Sequence, residues 1–203
     1  VMDDRDKLGI KAFSLAHMAR LGLPVPPAFV LGTPYCRLWR QDPEHYSRAN
    51  LASLLEEQMR WLQSVTSMGF GDPRNPLLVS VRSGAPVSMP GMMDTLLNIG
   101  LCDATVHGLL RITGNPRLVW DSYRRLIQNF AEVVFDADPQ PFTEVLEATL
   151  NREHLDRFQD LDYQSLTEIT RTYLRIFSEV TGKPFPQAPY DQLALSVQDV
   201  FSS

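Results

Sequence analysis

The chain has 203 residues, 44% of them hydrophobic, enough for one large domain or two small ones around a packed core. Its 19 basic and 24 acidic side chains give a net charge of −5, which excludes a general attraction for nucleic acid or an anionic membrane, so any anion site has to be local. No apolar run approaches the ~20 residues that span a bilayer, the first seven residues are too charged for a secretory signal, and Cys36 and Cys102 have neither disulfide-framework nor zinc spacing; the chain reads as a soluble, cytoplasmic protein.

From the N-terminus, Ile10, Phe13, Leu15, Met18 and Leu21 recur at helical spacing, which predicts an amphipathic helix over 9–21 that stops at Gly22. Pro24, Pro26 and Pro27 then straighten the chain into a short strand over 28–31. Thr33 and Pro34 supply an N-cap and a first-turn proline for a helix through about residue 40. A longer helix follows over 47–68, with Leu51, Leu54, Leu55, Met59, Leu62 and Val65 on one side. After a loop over 69–76 come a strand over 77–82 and a second over 94–99, the latter short enough that a helix remains an alternative. Beyond residue 102 the pattern is helical: one helix starts at Asn115-Pro116 and runs to about 135, with three more over 142–151, 165–181 and 189–201. The fold class is therefore α+β and helix-rich, with a small mixed α/β unit over 1–101 and an all-helical unit over 102–203.

Arg82 ends the Val79-Ser-Val-Arg82 alternation, where a strand holds the base of a guanidinium still while its head reaches a phosphate. Gly84 and Gly91 permit unusual backbone angles and Pro86 and Pro90 stiffen the segment between them, so the following loop suits the cover of a polyphosphate, although a plain connection is the commoner role of such a loop. Val81-Arg82-Ser83-Gly84 followed by Val87-Ser-Met-Pro-Gly-Met-Met-Asp-Thr95 closely resembles the signature of the N-terminal nucleotide-binding domain of the pyruvate, phosphate dikinase family. Arg20-Leu-Gly-Leu-Pro-Val-Pro-Pro27, Gly114-Asn-Pro-Arg-Leu-Val-Trp-Asp-Ser-Tyr-Arg-Arg125 and Gly182-Lys-Pro-Phe-Pro-Gln187 resemble further landmarks of that family in the same order, covering nearly the whole chain.

The resemblance implies the N-terminal lobe of an ATP-grasp fold followed by a helical subdomain, with ATP as ligand and magnesium as cofactor. It assigns Arg82 to the transferred phosphates as the catalytic residue, and Lys11, Gly91, Met93 and Arg125 to nucleotide binding together with Arg82 and the loop over 88–94. From the residues alone, Lys11 near a helix N-terminus reads more simply as a surface lysine and Met93 as core, while a salt bridge to Asp94 is the lesser alternative for Arg82. Arg124 and Arg125 are adjacent and point about 100° apart on a helix, so one faces the cleft while the other is solvated or paired with Asp121. The segment around Lys11 departs most from the family's Leu-Gly-Gly-Lys-Gly-Ala-Asn-Leu: Ile10, Ala12 and Phe13 replace two glycines and an alanine, which makes the chain bulkier where a phosphate would approach, reshapes it if those glycines had unusual angles, and so implies weak or absent nucleotide affinity.

None of His17, His45, His107 and His154 stands in the Gly-rich Thr-Ser-His context that carries the family's phosphohistidine, so no metal or phosphoryl role is assigned to them. The resemblance further implies that the magnesium-holding second lobe, the phosphohistidine domain and the pyruvate-binding domain are partners lying outside this sequence, that the full enzyme is a homo-oligomer, and that the chain alone does not complete the reaction. Two alternatives are a non-catalytic scaffold or regulatory module of the same fold that has lost nucleotide, and a phosphoenolpyruvate synthase or water dikinase relative; Gly84 and the Met-Pro-Gly-Met-Met run disfavour the latter.

Overall fold

A computed structural model of the chain describes residues 5–41, 48–83 and 95–202. Among the described residues four helices precede the strands: α1 (Arg5–Leu8), α2 (Ile10–Arg20), α3 (Thr33–Gln41) and α4 (Arg48–Thr66). The strands β1 (Val79–Val81) and β2 (Leu96–Ile99) pair antiparallel. Five helices follow: α5 (Val106–Thr113), α6 (Pro116–Phe135), α7 (Gln140–Glu153), α8 (Tyr163–Thr181) and α9 (Pro189–Ser202), with a 3-10 turn (Phe158–Asp160) between α7 and α8.

The helix ends follow from local chemistry. Asn115 caps α6 by accepting the Leu118 N–H at 3.0 Å, with Pro116 in the first turn. Asp162 caps α8 in the same way, accepting the Ser165 N–H at 2.8 Å. At the other ends of α5, α6, α7 and α8 the residues Gly114, Asp136, His154 and Gly182 adopt the left-handed conformation that turns the chain away.

One apolar core runs from Leu51, Leu55 and Met59 of α4 through Leu96 and Ile99 of β2 to Phe130 of α6, Phe177 of α8 and Phe201 of α9. The two long helices α6 and α8 pack against each other, β2 lies against α6 and α9, and α4 lies against α9. Phe185 sits edge-on to Tyr123, Phe130 and Phe177. The landmark over 182–187 is therefore largely structural: Gly182 ends α8, Phe185 fills the core, and Gln187 accepts the Asp103 N–H at 2.9 Å and donates to the Tyr123 hydroxyl at 3.0 Å.

Four expectations change. The strand over 28–31 is extended chain outside any ladder; the prolines just before it offer no N–H to pair. Consequently the described sheet is purely antiparallel and two-stranded rather than mixed. The helix at 9–21 forms as α2, yet none of its residues is fully buried, and Leu15 and Met18 are exposed, as is Leu21 beyond it. Val65 of α4 also faces outward, whereas Leu51, Leu55, Met59 and Leu62 are buried as expected.

The ladder contains a bulge. Val79 pairs with Ile99 and Val81 with Leu96, so Leu97 and Asn98 together oppose Ser80. Asn98 takes up the extra residue at φ 62°, which lets Leu96 and Ile99 both enter the core although they stand three apart. Asn98→Val is expected to cost about 1–3 kcal/mol, because a β-branched side chain is strained in this region. Urea unfolding of the variant checks this, and an unchanged midpoint would show that the bulge relaxes.

Candidate functional site

Arg82 lies one residue beyond β1, where the alternation of the strand continues: Ser80 and Arg82 face outward, Val81 is half-buried and Ser83 is buried. Among the described residues Arg82 has no hydrogen-bond or ion-pair partner. The Ser83 Oγ beside it is also buried without a hydrogen-bond partner. The base of this arginine is firm, since β1 is paired to β2, and β2 rests on α6 and α9. The turn after β2 is fixed further by Gln192, whose amide accepts the Gly100 N–H at 2.8 Å and donates to the carbonyls of Leu101 at 3.1 Å and Pro186 at 2.8 Å.

Lys11 is the second residue of α2 and is half-buried. Gly9 precedes the helix at φ 78° and no side chain caps the first turn, so its free N–H groups and the Lys11 ammonium share one helix end. Ile10, Ala12 and Phe13 are all helical in this chain, and the positive angle belongs to the retained glycine, Gly9. The glycine that the backbone requires here is therefore present.

Arg125 lies in the middle of α6 and is 57% exposed. Its Nε is 3.0 Å from Asp121 Oδ2, while Arg124, at 6% exposure, places Nη2 2.8 Å from Asp121 Oδ1. Both adjacent arginines thus share one carboxylate, whereas the sequence reading paired Asp121 with only one of them. All of this surrounds Phe158: the guanidinium carbons of Arg124, Arg117 and Arg125 stand 4.4, 5.3 and 5.4 Å from its ring centre. Arg117 also donates from Nε to the Leu161 carbonyl at 3.0 Å and from Nη2 to the Phe158 carbonyl at 3.1 Å, pinning the 3-10 turn to α6. Phe158 escaped the sequence reading because its partners lie 33 or more positions away, and nothing local to it signals them.

Gly91, Met93, Asp94 and the loop over 88–94 lie outside the described residues. Lys11, Arg82 and Arg125 occupy three different elements. Grooves formed by described residues include one of about 290 Å³ between α7 and α8 and one of about 250 Å³ lined by Asp103, His107, Trp120 and Arg171; neither of these includes any of the three. At the second groove, burial holds the Tyr123 phenol well above its usual pKa, so it stays a donor, 2.8 Å from Asp103 Oδ1. Among the described residues no group of three His, Cys, Asp or Glu side chains is placed to hold a metal ion, and no helix is long and apolar enough to cross a membrane.

The sequence is 43% identical over 205 residues to pyruvate, phosphate dikinase of Giardia intestinalis, covering 98% of this chain and 22% of that protein. It is 42% identical to pyruvate, phosphate dikinase of Rhizobium meliloti, covering 99% of this chain and 22% of that protein. With pyruvate, phosphate dikinase 2 of Zea mays the identity is 41%, over 98% of this chain and 22% of the relative. The chain thus spans about a fifth of the length of these relatives. No family profile matches it.

Proposed function

Because the chain is a relative of the pyruvate, phosphate dikinases along nearly its whole length, we propose that it contributes the first part of an ATP-grasp nucleotide site to such an enzyme. The reaction of that family converts ATP, pyruvate and phosphate to AMP, phosphoenolpyruvate and pyrophosphate, and this chain would supply cations to the ATP phosphates. The observation that carries the reading is Arg82: an exposed guanidinium without a partner among the described residues, at the end of a braced strand and inside the motif that carries the resemblance.

In this reading Arg82 stabilises charge on the transferred phosphates, where a permanently charged planar fork pairs with two oxygens at once. Lys11 neutralises a second phosphate group at the uncapped start of α2, with the helix dipole adding to its field. Arg125 adds a third cation, and the loop over 88–94, with Gly91 and Met93, covers the nucleotide. Positioning and charge neutralisation are what these residues offer to the chemistry. The magnesium ligands belong, in this reading, to the second lobe that lies outside this sequence. The pyruvate- and phosphohistidine-bearing parts belong, in this reading, to the remainder of a longer protein, and the chain divides at about residue 102 into an ATP-grasp lobe and a helical subdomain.

The alternative in which the scaffold has lost nucleotide drew on the substitutions near Lys11. Their helical angles, with Gly9 retained, bear on the backbone part of that argument and not on the added bulk of Ile10, Ala12 and Phe13. Titration of ATP with magnesium against the chain and against Arg82→Ala, followed by calorimetry, tests the reading. Affinity is expected to fall about 10- to 100-fold in the variant, the loss of a charge-assisted bidentate contact. Equal binding by both proteins would remove Arg82 from the site.

A further inference from the structure

Resting on the nucleotide reading above, we propose that Asp121 is a positioning residue, which holds Arg125 in the orientation from which that guanidinium takes a pair of phosphate oxygens. The carboxylate is itself only 15% exposed, and its two oxygens are divided between neighbours of very different burial. Arg124, at 6% exposure and with its guanidinium carbon 4.4 Å from the centre of the Phe158 ring, stands 2.8 Å from Oδ1 as an ion pair, although neither Oδ1 nor Arg124 Nε has a hydrogen-bond partner among the described residues. Oδ2 is left to hold Arg125 at 3.0 Å.

The recorded approach in that pair is through Nε. The two terminal nitrogens make no hydrogen bond among the described residues, and this is the end of the fork that binds a phosphate through two parallel hydrogen bonds. On another side the Phe158 ring, itself pinned through Arg117, lies 5.4 Å from the guanidinium carbon. A long side chain held at Nε and flanked by a fixed ring has fewer rotamers to lose when an anion arrives, and that lowers the entropic cost of binding. The charge balance fits as well. Arg124 already neutralises the carboxylate, so Asp121 orients Arg125 without cancelling its charge toward the ligand, and the trio keeps a net charge of about +1.

The test uses inorganic tripolyphosphate as probe, with affinity and thermal midpoint measured for the chain and for Asp121→Asn, Arg125→Ala and the double variant. Asp121→Asn is expected to weaken binding about tenfold in the parent and to have no further effect on affinity once Arg125 is alanine, while its effect on the midpoint persists in both backgrounds through the contact with Arg124. An equal loss of affinity in both backgrounds, or none in the parent, overturns the proposal. Should Asp121→Asn fail to fold, Arg125→Lys keeps the charge but lacks the Nε; its affinity is expected to approach that of Arg125→Ala, and retention of parental affinity overturns the proposal equally. Binding that depends on Arg82 but on neither Asp121 nor the Nε of residue 125 removes this inference alone, whereas no binding of tripolyphosphate or magnesium ATP by the parent chain removes the nucleotide reading with it.

Discussion

Gln192→Ala is expected to lower the free energy of unfolding by about 3–6 kcal/mol, since each buried polar group left without a partner costs about 1–3 kcal/mol. The side chain is fully buried and serves three backbone groups at once: the Gly100 N–H, the Leu101 carbonyl and the Pro186 carbonyl. These belong to the turn after β2 and to the segment between α8 and α9, so one amide joins the sheet that supports Arg82 to the helical layer. The turn tolerates little adjustment, because a Cβ on Gly100 would stand 2.8 Å from the Phe70 ring and 3.0 Å from the Leu77 carbonyl. Urea unfolding measures the effect as a lower midpoint at unchanged slope. Gln192→Leu refills most of the volume while leaving the same three groups unpaired, so it is expected to be nearly as damaging; full recovery by leucine would show that packing and not hydrogen bonding dominates there.

Phe201→Ala is expected to cost about 3–4 kcal/mol, the usual range for truncating a buried aromatic residue, and to act selectively on the segment that carries Lys11. Phe201 stacks against Tyr35 and Trp39 of α3 at 5.7 and 5.8 Å, and its carbonyl accepts from Arg40 Nε at 2.9 Å. Through these contacts α3 docks on α9, α1 packs on α3, and α2 packs on α1. Since no residue of α2 is fully buried, its place depends on that chain of contacts. Hydrogen exchange after the substitution is expected to accelerate over residues 5–41 well before it does over α6 and α8. Uniform acceleration would mean that α2 and α3 unfold only with the rest.

Much of the helical half was legible because its signals are local. The Asn115-Pro116 start, the end of α6 at Phe135 and the stop of α8 at Gly182 follow from caps and periodicity within a few residues. The first half was less legible. Periodicity placed α2 correctly but implied a buried face that the structure leaves open at Leu15 and Met18, since spacing records amphipathicity and not the presence of something to cover it. The bulge at Asn98 was hidden, as Leu96, Leu97, Asn98 and Ile99 alone carry no sign of which residue the ladder omits. At the candidate site, the strand-end position of Arg82 was read from alternation, and the structure places it there. The sharing of Asp121 by two arginines and the ring of Phe158 beside them was out of reach, because it joins α6 to a turn distant in the chain.

Sequence by itself determined the helix-rich α+β class, the kinship to a dikinase segment, the strand-end arginine and most helix boundaries, all of which rest on interactions within one turn or on a long uninterrupted motif. Tertiary structure alone decided which apolar faces are covered, how the extra residue in β2 is absorbed, and how the guanidiniums on α6 are held. Those outcomes depend on burial and charge pairing between segments far apart in the chain, and such pairings are selected by the free energy of the whole packed arrangement rather than by any local pattern.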